Sequence, residues 1–275
     1  GYRAGLLVTT GQGNTAVGRD AALSNNTGSF TTCLGYQAGY TNTVDSNTFI
    51  GGQTGYYNNG AHNLMIGALA GYNNRGDYNL LIGYFAGDDN DGNTNNSHKN
   101  VAIGYKALTK VETGANQNTA VGYQAGDTIT TGANNIIIGN DADATSATTS
   151  NEITLGNTNI ASLRCNVQTI SSLSDARDKT NVIDLPEGLN FINNLRPVKF
   201  EWSTRDGNGK DGSYEHGFIA QDLQEAQKDN DADYLKLVMD SNPDRLEASY
   251  GRLVPILVKA IQELTLEVNK LKSNG

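Results

Sequence analysis

Few side chains in this sequence have the types and spacing that chemistry requires, and the most suggestive pair lies in LSDARDK, Leu173 to Lys179. Ser174 offers a hydroxyl and Lys179 an amine. A serine hydroxyl is a weak nucleophile that needs an adjacent base, and a lysine can be that base only if burial keeps it neutral. The local sequence does not obviously bury Lys179, which is flanked by Asp178 and near Asp175 and Arg177. In an α-helix, five residues subtend about 500° and leave the two side chains roughly 140° apart; in a strand, an odd separation puts them on opposite faces. A working pair therefore needs a turn, or packing from other chains. Taken alone, the two residues read as an ordinary surface loop.

Other candidates are weaker still. Cys33 and Cys165 are too few and too far apart for a disulfide framework or a metal site, and both are expected to be buried small hydrophobes. DDNDGN, within DDNDGNTNNSHK, supplies oxygen ligands but lacks the acid at the twelfth position of a calcium loop, so a solvated loop is expected, with His98 exposed in it. No cofactor and no metal is expected. The formal charge of −9 divides into 7 Lys/Arg against 11 Asp/Glu before Ser174 and 13 against 18 from there on. Neither part has the basic footprint of a nucleic-acid binder. No run of 18 apolar residues occurs, so no membrane insertion is expected. The opening GYRAG recurs as GYQAG at Gly35 and Gly122, which suggests a chain that begins in mid-repeat as the C-terminal piece of a longer polypeptide.

The elements that must position Ser174 and Lys179 belong to two regimes. All four prolines and the only tryptophan lie after residue 173, whereas 25 of 32 glycines lie before it. Residues 1–156 repeat: NTAVG ends at Gly18, TTCLG at Gly35, NTFIG at Gly51, NLMIG at Gly67, NLLIG at Gly83, NVAIG at Gly104, NTAVG at Gly122, NIIIG at Gly139 and EITLG at Gly156. Sixteen or seventeen residues are too few for a helical hairpin but suit one coil of a β-solenoid, predicted to have two short strands per coil, apolar triplets stacked on one another, and Asn and Gly at corners of positive φ. Proline would interrupt the ladders between coils, and none is present here.

Residues 157–173 read as a connector, and residues 174–275 as a mixed α and β domain. LPEGLNFINNL has helical spacing, RPVKFEW alternates Val198, Phe200 and Trp202 like a half-buried strand, DGNGKDG is a turn, and HGFIAQDLQEAQ runs from strand into helix. From about residue 250, Val254, Leu257, Ile261, Leu264, Val268 and Leu271 continue a 4,3 spacing that begins at Tyr250, which is a coiled-coil seam. Pro255 marks the start of that helix or a kink in it. β-Branched residues at one seam position with leucines at the other favour two strands, which argues against a trimer on this feature alone.

The NxxIG…A-G pattern resembles the left-handed β-roll of trimeric autotransporter adhesin heads and of related phage tail-fibre segments. That resemblance implies a trimer of solenoids with a surface role in adhesion or host recognition. SLSDARDKTNV, GLNFINNLRPVKFEW, HGFIAQDL and YGRLVPILVKAIQEL resemble the C-terminal intramolecular chaperone, or auto-processing, domain of endosialidases and other phage tail spikes and fibres. What this implies is a Ser-Lys dyad that cuts the chain once three copies have folded, with Ser174 as nucleophile, Lys179 as base and Leu173–Ser174 as the scissile bond. His216 and Gln221 fall in the family's motif and are candidates for supporting roles.

The reading that follows is the C-terminal part of a phage tail fibre or spike: a homotrimeric solenoid and a self-cleaving chaperone. Its expected partner is a host-surface receptor, a glycan or outer-membrane component. Its expected location is the virion, assembled in the host cytoplasm and extracellular when mature. A non-viral trimeric surface adhesin with the same terminal module, and a polysaccharide-degrading tail spike, are the competing readings.

Overall fold

The computed structural model describes residues 1–88, 96–160, 162–166, 170–204 and 211–274. It divides into two units, 1–160 and 161–275. Most of the DDNDGN loop and most of the DGNGKDG turn lie outside the described residues.

The first unit is a parallel β-solenoid with nine three-residue strands: β1 (Thr15–Val17), β2 (Thr32–Leu34), β3 (Thr48–Ile50), β4 (Leu64–Ile66), β5 (Leu80–Ile82), β6 (Val101–Ile103), β7 (Thr119–Val121), β8 (Ile136–Ile138) and β9 (Ile153–Leu155). They pair in chain order, each residue opposite its counterpart one coil on. Among the described residues, each coil therefore has one strand rather than two, with turns between the strands. The period-2 pleat sends only the middle residue inward: Cys33, Phe49, Met65, Leu81, Ala102, Ala120 and Ile137 are buried. Stacked opposite them are the alanines of the A-G pairs, such as Ala38, Ala70 and Ala86. Where the strand centres shrink to Ala102 and Ala120, Leu108, Val111 and Ile129 from the turns fill the space, as close packing demands.

Two columns hold the coils in register. Gly18, Gly35, Gly51, Gly67, Gly83, Gly104, Gly122 and Gly139 have φ between +125° and +143°, and a Cβ on any of them would lie under 3.0 Å from the backbone of the next coil. Only glycine fits. The second column is asparagine: the side-chain oxygens of Asn47, Asn63, Asn79, Asn100 and Asn118 each accept from the backbone N–H at the same position one coil on. Thr31 interrupts it. Its hydroxyl reaches the Val44 carbonyl only at 3.4 Å, and the neighbouring Asn25, fully buried, is left with neither amide atom partnered. In the next coils, Asn47 and Asn63 satisfy Asn42 and Asn58 instead. Thr31→Asn is therefore expected to stabilise the solenoid by about 1 kcal/mol, read as a higher denaturant midpoint, because it supplies the missing donor to a buried acceptor.

The corners depart from the sequence expectation. Left-handed φ occurs at Phe30, Leu69, Phe85 and Lys99 as well as at asparagine and glycine. Ladder bonds impose it: Phe30 N–H donates to the Gln12 carbonyl at 2.8 Å and Leu69 N–H to that of Gly52 at 3.0 Å. Cys33 is buried, and burial pushes its thiol up to about 12, whereas Cys165 is exposed, contrary to expectation. His98 is half-buried, its Nδ1 accepting from Asp77 N–H at 3.0 Å, so it belongs to the ladder rather than to an exposed loop.

In the second unit, an exposed extended segment leads into α1 (Leu189–Asn193), the hairpin β10 (Val198–Glu201)–β11 (Tyr214–Gly217), α2 (Ala220–Asp229), the short pair β12 (Val238–Met239)–β13 (Glu247–Ala248), and α3 (Leu253–Ser273). Val198, Phe200 and Trp202 alternate as expected. The predicted helix over 185–195 shortens to α1, starting after Gly188. Glu263 of α3 caps it, accepting from Leu189 N–H at 2.7 Å, and a Cβ on Gly188 would collide with that carboxylate. The core joins Phe191, Leu223, Leu237, Leu253 and Ile256. Pro255 sits in the first turn of α3, where its missing N–H costs nothing.

Candidate cleavage site

Ser174 and Lys179 meet because the chain turns between them. Asp175 is extended (φ −69°, ψ 135°), Ala176–Asp178 make one 3-10 turn, and Lys179 is extended again (φ −124°, ψ 139°). Asp178 N–H donates to the Asp175 carbonyl and Lys179 N–H to that of Ala176, both at 3.2 Å. At about three residues per turn, this geometry resolves the mismatch that defeats both helix and strand. Lys179 Nζ donates to Ser174 Oγ at 2.6 Å and to the Ser174 carbonyl at 3.2 Å.

Asp175 shapes the turn. Its Oδ1 accepts from Arg177 N–H at 2.9 Å and from Arg177 Nε at 3.0 Å, and its Oδ2 accepts from Nη2 at 2.6 Å. The Arg177 side chain, and then its backbone amide, hold this carboxyl below its ordinary range. Sequence reasoning noted both residues only as charges near Lys179. The signal available was the aspartate itself, a residue type that favours the position just before a helical turn.

The whole segment is exposed: Leu173 is 98% accessible, and both Ser174 and Lys179 face solvent. A nucleophile and a proton acceptor in contact can do acyl transfer, but a lysine base must be neutral, and burial is what favours that state. His216 lies exposed in β11 opposite Lys199, and Gln221 is exposed at the second position of α2. Among the described residues, no hydrogen bond joins either to Ser174 or Lys179.

The residues of the expected seam share one exposed side of α3. Val254, Leu257, Ile261, Leu264, Val268 and Leu271 are all more than a third accessible, while Leu253, Ile256 and Ala260 are buried, the first two in the core of their own unit. Among the described residues, no helix is long and apolar enough to cross a membrane, and no group of three or more His, Cys, Asp or Glu could hold a metal.

Residues 174–232 match the family described as chaperone of endosialidase, a peptidase family, and the match begins at Ser174 itself. It stops before α3. No curated protein and no solved structure matches the chain. A match to this family behind a β-solenoid fits a tail-fibre-like trimeric protein, and the matched family suggests autoproteolytic peptidase activity.

Proposed function

We propose that this chain is the C-terminal part of a phage tail fibre or spike, a trimeric solenoid for host attachment. Its chaperone domain aligns three chains and then cuts itself away before Ser174. The observation that carries the reading is the 2.6 Å contact between Lys179 Nζ and Ser174 Oγ at the first residue of the family match.

The chemistry balances within the chain. A neutral Lys179 amine accepts the hydroxyl proton of Ser174, reversing the sense of their hydrogen bond, as Oγ attacks the Leu173 carbonyl carbon. The C–N bond of Leu173–Ser174 breaks, the proton passes to the departing Ser174 nitrogen, and an ester joins Leu173 to Oγ. Water then hydrolyses that ester, leaving a Leu173 carboxylate and a free Ser174 amine and hydroxyl. Assembly switches the reaction on by burying Lys179, which is exposed in the single chain.

Two apolar surfaces support the trimer. One is the seam of α3. The other is the outward side of the solenoid strands, where Val17, Leu34, Leu64, Ile136, Ile138 and Leu155 are each at least 37% accessible, apolar side chains that a partner chain would cover. A solenoid that must also align with partner chains depends on slow, non-local pairing and exposes strand edges on the way. A domain that trimerises first would hold the register, and its removal would leave a kinetically trapped fibre.

Intact-mass analysis of the purified, assembled protein tests the reading. Fragments 1–173 and 174–275 are expected, and a fully assembled protein that stays whole would refute cleavage. Ile261→Asp is expected to leave the chain monomeric and uncut, because it places an unpaired charge in the seam at a cost of several kcal/mol. Light scattering on the eluting protein reads the monomer, and the same mass measurement reads the missing cut.

A further inference from the structure

We propose that Asp175 and Arg177 are positioning residues for the cut, locking the turn that sets the Lys179 amine against the Ser174 hydroxyl. The proposal rests on the cleavage reading above.

No packing holds the turn. It contains no buried residue, and a single 3-10 turn of three residues does not sustain itself in water. What ties its side chains together is the Asp175 carboxylate, which binds the Arg177 backbone and the Nε–Nη2 edge of its guanidinium through three bonds of 2.6 to 3.0 Å. A bidentate, charge-assisted pair of this kind fixes orientation as well as distance. Asp175 is also covalently next to Ser174, and Lys179 N–H is tied back to Ala176, so the Asp175 backbone torsion controls the separation of the two reactive side chains. Neither Asp175 nor Arg177 has a hydrogen bond to Ser174 Oγ or Lys179 Nζ, which bond each other.

This placement separates stability from rate. The Arg177 side chain is 88% exposed, and an exposed ion pair contributes little to stability. Geometry at a reacting centre is far less forgiving: a displacement of about 1 Å can cost about 100-fold in rate. The pair therefore matters to cleavage while contributing little to the stability of the single chain.

The test is the cleavage time course of the full chain. Asp175→Ala is expected to slow the cut by about 10- to 100-fold at unchanged trimer yield and thermal midpoint. Asp175→Asn keeps an oxygen for the Arg177 amide but loses the bidentate pair with its guanidinium, and is expected to cut at a rate between those of Asp175→Ala and wild type. In the uncut Ser174→Ala chain, hydrogen exchange at the Arg177 amide is expected to be slow, fast after adding Asp175→Ala, and slow again with Asp175→Asn. An Asp175→Ala chain cut as fast as wild type, an Asn variant as slow as the Ala variant, or an Arg177 amide unprotected from the start each overturns the positioning role alone. A wild-type trimer that stays whole overturns the cleavage reading, and this proposal with it.

Discussion

Replacing Ser174 by Ala is expected to yield a trimer that assembles normally and stays as a single 275-residue chain. The loss should be complete on any practical timescale, because the attacking oxygen is gone; removing a nucleophile of this type costs on the order of 10⁶-fold in rate. Lys179→Ala should approach the same endpoint by a different route. The hydroxyl remains, but nothing within 2.6 Å takes its proton. Lys179→Arg separates base from charge: guanidinium keeps the positive charge and does not deprotonate in proteins, so it should fail as Ala does. Hydroxylamine adds an independent readout, since it attacks esters in preference to amides. In wild type it should capture part of the N-terminal fragment as a hydroxamate on Leu173, and in Ser174→Ala no hydroxamate should form at Leu173. Efficient cutting by either Lys179 variant would remove the lysine from the mechanism while leaving Ser174 in place.

The second large effect is expected far from the chemistry, at Gly104→Ala. Gly104 has φ +140°, in a region that residues with a Cβ avoid, and the added carbon would fall on the carbonyl of Gly122 in the next coil. Backbone strain and the displaced ladder together should cost on the order of 4 kcal/mol. Because each coil contacts only its neighbours, the damage should divide the stack at β6 rather than spread evenly. Gly52→Ala is the control: its φ is not positive, and nothing lies within 4 Å of the added carbon. It should be neutral, or stabilising by about 0.5 kcal/mol through the unfolded state. Equal unfolding midpoints for the two variants would refute the account of the glycine column.

The solenoid was legible because its constraints repeat. A glycine after each apolar triplet recurs wherever one coil's backbone presses on the next, and a buried asparagine recurs wherever a ladder N–H needs a side-chain oxygen. Strand number was less legible: the turns between strands also hydrogen-bond from coil to coil, and the sequence pattern does not separate those bonds from a second strand. The left-handed corners at Phe30, Leu69 and Phe85 were not legible at all, since those residue types disfavour that conformation and only bonds from adjacent coils impose it. On α3 the 4,3 spacing picked out residues that the structure leaves exposed, and the structure adds that Leu253, Ile256 and Ala260, on the adjoining flank of the helix, are buried.

For the candidate site, the sequence by itself determined the two residue types and their separation of five, while Leu173–Ser174 as the bond to be cut came only from the family resemblance. It also determined that neither regular helix nor strand could join them, because both periodicities put positions five apart on different sides. Only the tertiary structure decided that they touch. The Asp175 carboxylate folds back on Arg177 and bends the chain through a single 3-10 turn, and that bend depends on a side-chain torsion no repeat or spacing encodes.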